Sequence, residues 1–223
     1  VWKFFYEITR IPRPSKKEEK IIAYLENFGK ERGLETLKDA IGNIVIRKPA
    51  SPGYENKPWV CLQSHVDMVC EKAPTSSHDF EKDPLQLRIV DHWVMATDTT
   101  LGADNGIGVA MSLAILDDKT LQHGPIEALF TVDEETGLTG AFALDPSMLK
   151  SKILINLDSE DEGVIFIGCA GGRDTVGKNS VAYTSLPSGL QAFEIKIGGL
   201  KGGHNGDDIN KGRANANKLL ARI

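Results

Sequence analysis

Four short segments concentrate the side chains able to bind a cation or move a proton: Ser64-His65-Val66-Asp67, residues 99–108 around Asp104, Asp133-Glu134-Glu135-Thr136-Gly137, and Asn156-Leu157-Asp158. Residues i and i+2 of an extended segment point to the same side, so His65 and Asp67 face one site together. An imidazole ligand needs its second nitrogen held, and Asp67 is placed to hold it. A surface turn would carry the same letters. Asp104 lies where a glycine-rich turn enters a helix. An aspartate there is commonly an N-cap. The other reading is a carboxylate whose two oxygens bridge two cations, with small neighbours that allow close backbone approach. Glu134 and Glu135 are adjacent at the end of an apolar run, where like charges repel unless a cation offsets them. Neighbouring side chains diverge, so one can bind metal while the other faces a water molecule; an acidic loop is the alternative. Asp158 is either a further oxygen ligand or the start of a turn.

Taken together, a histidine, three carboxylate ligands and a further carboxylate as base form the inventory of a two-metal hydrolytic site. Mixed imidazole and carboxylate ligation suits Zn2+, and also Mn2+ or Co2+. No cysteine falls at these positions, which excludes an all-thiolate site.

Such a site needs a scaffold that brings distant segments together. Residues 59–63, 126–132 and 153–157 are apolar without clean alternation and read as buried strands. A helix rich in Ala and Leu is expected over 105–116. Strands alternating with helices imply an α/β layered sheet, whose sites form beyond the carboxyl ends of the strands. Upstream, Pro12 and Pro14 break the chain after a short apolar helix. Ser15 and Glu18 have the spacing of a capping box. Ile21, Ile22, Leu25 and Phe28 then recur at helical spacing, and Gly33 closes that helix. Shorter strands are expected at 34–37 and 43–47, and a hairpin at 85–90 and 93–96. Composition shifts near Cys169-Ala170-Gly171-Gly172. Beyond it, residues 192–197 alternate like a half-exposed strand, 198–206 form a glycine-rich loop, and a helix begins near Ala214. That helical pattern runs through Leu219, Leu220 and Ile223 to the last residue, and the first residue is Val1. A piece of a longer protein is therefore expected.

Composition narrows the function classes. The 223 residues are 41% hydrophobic and 26% charged, with a formal net charge of -5. This ordinary, mildly acidic balance argues against nucleic acid as a partner. No apolar run is long enough to span a bilayer, so no membrane partner is expected. Cys61, Cys70 and Cys169 are widely spaced and odd in number, which reads as reduced, mostly buried thiols of a cytoplasmic protein.

With these motifs assembled, the sequence resembles the M20 family of metallopeptidases, and more closely its bacterial aminoacyl-histidine (Xaa-His) dipeptidase branch. The matching segments include Ile11-Pro12-Arg13-Pro14-Ser15, His65-Val66-Asp67-Met68-Val69, residues 99–108, Gly168-Cys169-Ala170-Gly171-Gly172 and Leu200-Lys201-Gly202-Gly203-His204. Thr100-Leu101-Gly102-Ala103-Asp104-Asn105-Gly106 is the most specific. The resemblance implies a mixed-sheet, three-layer α/β catalytic domain of zinc-peptidase type over 1–172. Residues 173–223 would begin a smaller α+β lid or dimerisation domain. It implies two divalent metal ions, most consistently Zn2+, cleavage of small dipeptides, and a homodimer. Asp104 would bridge both metals. His65 and Asp158 would complete one site and Glu135 the other. Glu134 would be the general base, Asp67 would orient His65, and His204 would contact the substrate's oxyanion. The family's last metal ligand is a histidine farther along, which nothing here supplies. His78, His92 and His123 match no ligand motif. The resemblance leaves open another M20-type hydrolase, such as an aminoacylase, deacetylase or tripeptidase. A different class, a non-catalytic metal-binding module, is open for the chain taken alone, which is expected to be inactive.

Overall fold

A computed structural model describes residues 1–159, 161–169, 171, 175–203 and 208–223. The chain divides into two units, Val1–Cys169 and Ala170–Ile223.

The first unit opens with two helices, α1 (Trp2–Thr9) and α2 (Glu19–Glu31), followed by strands β1 (Glu35–Lys38) and β2 (Ile44–Lys48). Strand β3 (Val60–His65) leads to a hairpin, β4 (Leu87–Val90) and β5 (Trp93–Ala96). Helix α3 (Ala103–Asp117), strand β6 (Ile126–Thr131), the short α4 (Thr139–Phe142) and strand β7 (Ile153–Asn156) complete it. The main sheet has the order β1-β2-β6-β3-β7. Strands β1, β2 and β6 pair antiparallel, whereas β6, β3 and β7 run parallel. The fold is thus mixed α/β with a mixed sheet, as expected.

The burial of each strand follows from its place. Strand β6 is central, and Ala128, Leu129 and Phe130 are all buried, so its sequence does not alternate. One face of the sheet packs Ile44, Ile46, Ala128 and Phe130 against Phe4, Phe5 and Ile8 of α1, Ile21, Leu25 and Phe28 of α2, and Val109 and Leu113 of α3. The other face packs Val45, Cys61 and Leu129 against Met148 and its neighbours Leu144 and Leu149. Strand β7 forms the edge, and Ile153, Leu154 and Ile155 are exposed.

Several expectations change. The run at 153–157, read as a buried strand, forms the edge strand β7, whose residues are exposed because, among the described residues, only β3 pairs with it. The Ser15–Glu18 capping box does not form: α2 starts at Glu19, the Ser15 hydroxyl donates to Asp67, and Glu18 accepts from the Lys16 and Asp133 amides. Tertiary acceptors and donors outcompete the local cap. In the second unit, residues 192–197 form no strand. A strand needs a hydrogen-bonded neighbour, and none is supplied among the described residues. The helix expected near Ala214 is the five-residue α5 (Ala216–Leu220), capped by the Asn215 side chain accepting from the Lys218 amide at 3.0 Å. The boundary expected between 172 and 173 falls outside the described residues. Cys61 is buried, Cys70 half-buried and Cys169 exposed, so the thiols are less uniformly buried than expected.

Candidate metal centre

The three parallel strands end on the same side of the sheet, and each delivers acidic or imidazole groups there. His65 is the last residue of β3, Glu134 and Glu135 follow β6, and Asp158 follows β7. Asp104 comes from the first turn of α3. There it breaks the helix locally: Asp104 has φ -82° and ψ 114°, and its peptide to Asn105 is cis. It is not an N-cap; Gly102, in the left-handed conformation at φ 64°, holds that place.

His65 is the hub and is 1% exposed. Its Nε2 lies 3.0 Å from Asp104 Oδ1 and 3.8 Å from Asp158 Oδ2. On the other side, Nδ1 stands 3.3 Å from Asp67 Oδ1, without an aligned hydrogen bond. Asn105 donates to the second Asp158 oxygen at 2.6 Å, while its own buried carbonyl oxygen has no partner. Asp67 is buried and saturated with donors. Ser15 Oγ donates to it at 2.8 Å, and the Glu134 and Glu135 amides donate at 3.0 and 3.2 Å.

The loop that presents the two glutamates is fixed by four consecutive amides. Val132 N donates to Asn43 Oδ1 at 3.1 Å, and Asp133 N to Glu18 Oε1 at 3.0 Å. The next two amides go to Asp67. Asp133 itself takes a positive φ of 49°, which turns the chain out of the sheet. The oxygens of Glu18, Asp67 and Asp133 lie within 4.8 Å of one another, but each of these buried carboxylates accepts from amide or hydroxyl donors. This cluster organises the loop behind the site.

Two groups of potential ligand atoms remain. Donor atoms of His65, Asp104 and Asp158 lie within 4.8 Å of one another, as do those of His65, Glu134 and Glu135. Zinc bonds of about 2.1 Å in a tetrahedron separate ligands by about 3.4 Å. The residues therefore fit a cation after small rotamer adjustments. The donor set, one imidazole among hard carboxylates, suits Zn2+, Mn2+ or Co2+.

Electrostatics favour a cation here. Burial alone would lower the His65 pKa, but Asp104 and Asp67 override it and raise it to about 10. Burial would raise Asp67; the adjoining His65 imidazole and the bonds from the Glu134 amide, Ser15 and the Glu135 amide win and hold it at about 2. Asp104 is lowered, chiefly by His65. Asp158 is raised by burial and by competition with Asp104. Burial also raises Glu134 and Glu135, helped by the surrounding carboxylates. A metal ion would relieve this crowding of negative charge, which now holds a proton on His65.

The structure thus brings His65, Asp67, Asp104, Glu134, Glu135 and Asp158 together. His204 lies outside the described residues. His78 and His123 take no part, since neither falls in a ligand group. Sequence reasoning missed Arg13, Glu18 and Asn43, which hold the ligand loops through backbone atoms. Arg13 sat within a motif segment, but nothing in its local spacing marked its role.

The chain is 49% identical, over all 223 residues, to the cytosol non-specific dipeptidase of Escherichia coli K12, and covers 46% of that protein. Among solved structures it matches the aminoacylhistidine dipeptidase of Vibrio alginolyticus with TM-score 0.76 and 47% identity, over 99% of this chain and 45% of that one. The chain is thus similar in sequence and in fold to these two dipeptidases. It also matches aminopeptidase PepT of Bacillus cereus, with TM-score 0.60 and 28% identity over 72% of this chain and 43% of that one. No family model matches the chain. The chain spans about half the length of the dipeptidases it matches. No helix among the described residues is long and apolar enough to cross a membrane.

Proposed function

We propose that this chain carries most of the metal-binding machinery of a two-metal dipeptidase that cleaves small Xaa-His dipeptides in the cytoplasm. The observation that carries the reading is His65, buried between Asp104 and Asp158 on one nitrogen and Asp67 on the other, with Glu134 and Glu135 alongside. The names of the two high-identity relatives, a dipeptidase and an aminoacylhistidine dipeptidase, support the substrate class.

In this reading His65, Asp104 and Asp158 would hold one divalent ion, and Glu135, with Asp104 shared, would hold a second. Zn2+ is the expected ion. When bound, the ions supply the Lewis acidity that acidifies a water and polarises the amide carbonyl. Glu134 would accept a proton from the attacking water and return it to the leaving amine. Burial raises its pKa above the ordinary carboxylate value, the direction that makes it a better base. Asp67 fixes the His65 ring, and His204 steadies the oxyanion of the tetrahedral intermediate. Residues 1–172 belong to the catalytic domain, and 173–223 begin a lid domain through which the full-length protein forms a homodimer. The likeness to aminopeptidase PepT favours one second reading, an aminopeptidase, which a panel of dipeptides and longer peptides separates from the first.

Replacing Glu134 with Ala in the full-length protein tests the mechanism. Bound metal, measured by inductively coupled plasma mass spectrometry, should be retained, while turnover falls by roughly 10²- to 10⁴-fold. Substantial residual turnover would sink the assignment of the base.

A further inference from the structure

We propose that Arg13 is a positioning residue that sets the spacing between the two principal metal-ligand loops. The proposal rests on the two-metal reading above.

Arg13 is 2% exposed and comes from the segment between α1 and α2, which carries none of the proposed ligands. Its Nη1 donates to the carbonyls of Val66 at 2.8 Å and Asp67 at 3.0 Å, straight after His65. Its Nη2 donates at 2.5 Å to the carbonyl of Gly102, two residues before Asp104. One planar guanidinium thus spans the loop that presents His65 and the turn that presents Asp104. Farther from the site the same two segments are joined by Thr100, whose hydroxyl donates to the Val69 carbonyl at 2.6 Å and whose amide donates to the Glu71 carbonyl at 2.8 Å; beside the ligands the other link is the His65–Asp104 contact. Bound metal would compete for that contact, whereas the Arg13 link reaches only backbone carbonyls and persists.

The glycine-rich segment is shaped around this guanidinium. A Cβ on Gly102 would lie 2.5 Å from Arg13 Nη2, and one on Gly106 would lie 2.7 Å from it. The adjoining residue reinforces the docking, since Pro14 bridges to Met68 in parallel register. A lysine keeps the charge but presents a single point of donors in place of a rigid fork. It would not hold two loops at one fixed separation.

The test is titration of the full-length, metal-free protein with Mn2+, followed by electron paramagnetic resonance. The wild-type protein should take up two ions per chain and give the exchange-coupled spectrum of a Mn2+ pair. Arg13→Lys should weaken Mn2+ affinity roughly 10- to 100-fold and deplete the coupled signal at equal occupancy. Arg47→Gln is the control for general destabilisation. Arg47 is also a buried arginine, but it pairs with Glu127 at the amino end of β6, and its variant should leave affinity and spectrum unchanged. Should Arg13→Lys fail to fold, Gly106→Ala displaces the guanidinium without removing it and should weaken the pair in the same direction. Wild-type affinity and spectrum in the Arg13 or Gly106 variant would overturn the proposal, as would equal losses in the Arg47 control. A wild-type protein that binds no Mn2+ and no Zn2+ would instead overturn the two-metal reading, and the positioning role with it.

Discussion

Metal uptake at His65 should displace a proton, and the size of that exchange follows from the site's geometry. Asp104 and Asp67 raise the imidazole pKa from 6.5 to about 10 in the metal-free protein. A ligating imidazole must be neutral. Each pH unit below the pKa adds about 1.4 kcal/mol to the work of removing the proton, so at pH 7 a cation works against about 4 kcal/mol. Calorimetric titration with Zn2+ at pH 8, in two buffers of different ionisation enthalpy, should report about one proton released per chain from this site. Between pH 7 and 9 the apparent dissociation constant should fall about tenfold per pH unit. Asp104→Asn removes the first partner that raises His65, so any remaining uptake should release less. Thermal unfolding gives a second reading. The folded-state pKa lies above the unfolded value, so this stabilisation is complete below about pH 6.5 and lost as pH rises through about 10. The metal-free protein should therefore lose melting temperature across that window, and the loaded protein should lose much less. Metal binding at pH 8 with no proton release would refute the reasoning, because His65 would then be neutral beforehand or not a ligand.

Two further outcomes are expected. Asp104→Ala should lose metal from both sites, measured by mass spectrometry of desalted protein, and full occupancy of both would refute bridging. Glu127→Gln should destabilise the fold by about 3 kcal/mol in urea while leaving metal affinity intact, because it strips the charge partner from buried Arg47 and weakens acceptors held by Ser151 and the Lys150 amide. A loss below about 1 kcal/mol would mean that the exposed Glu35 pairing suffices for Arg47.

The scaffold was largely legible because apolar runs and turn residues act locally. The runs at 59–63, 126–132 and 153–157 mark β3, β6 and β7 to within a few residues, and Gly33, at φ 63°, sits just past α2 as expected. The pairing of His65 with Asp67 follows from the two-residue period of a strand. What stayed hidden acts at long range and on backbone atoms. Arg13 reaches Val66 across 53 residues, Asn43 reaches Val132 across 89, and Glu18 reaches Asp133 across 115. A main-chain acceptor looks the same under any side chain, so no local pattern announces such a contact. Ser15 shows the converse. Its spacing to Glu18 is that of a helix cap, yet a buried carboxylate fifty-two residues away takes its hydroxyl.

The arrangement of the parallel strands has a consequence during synthesis. The proposed ligands arrive in chain order, with His65 at the end of β3, Asp104 in α3, the glutamates after β6 and Asp158 after β7. Strand β3 lies between β6 and β7, so its two neighbours both leave the ribosome after it. Until they pair with it, His65 stands alone among groups too distant to share an ion, and closing those long loops carries its own entropic cost. A nascent chain therefore presents no assembled trap for stray cations. The proposed metal site would come into being only as the sheet closes, and metal capture would report that the strands have found their order.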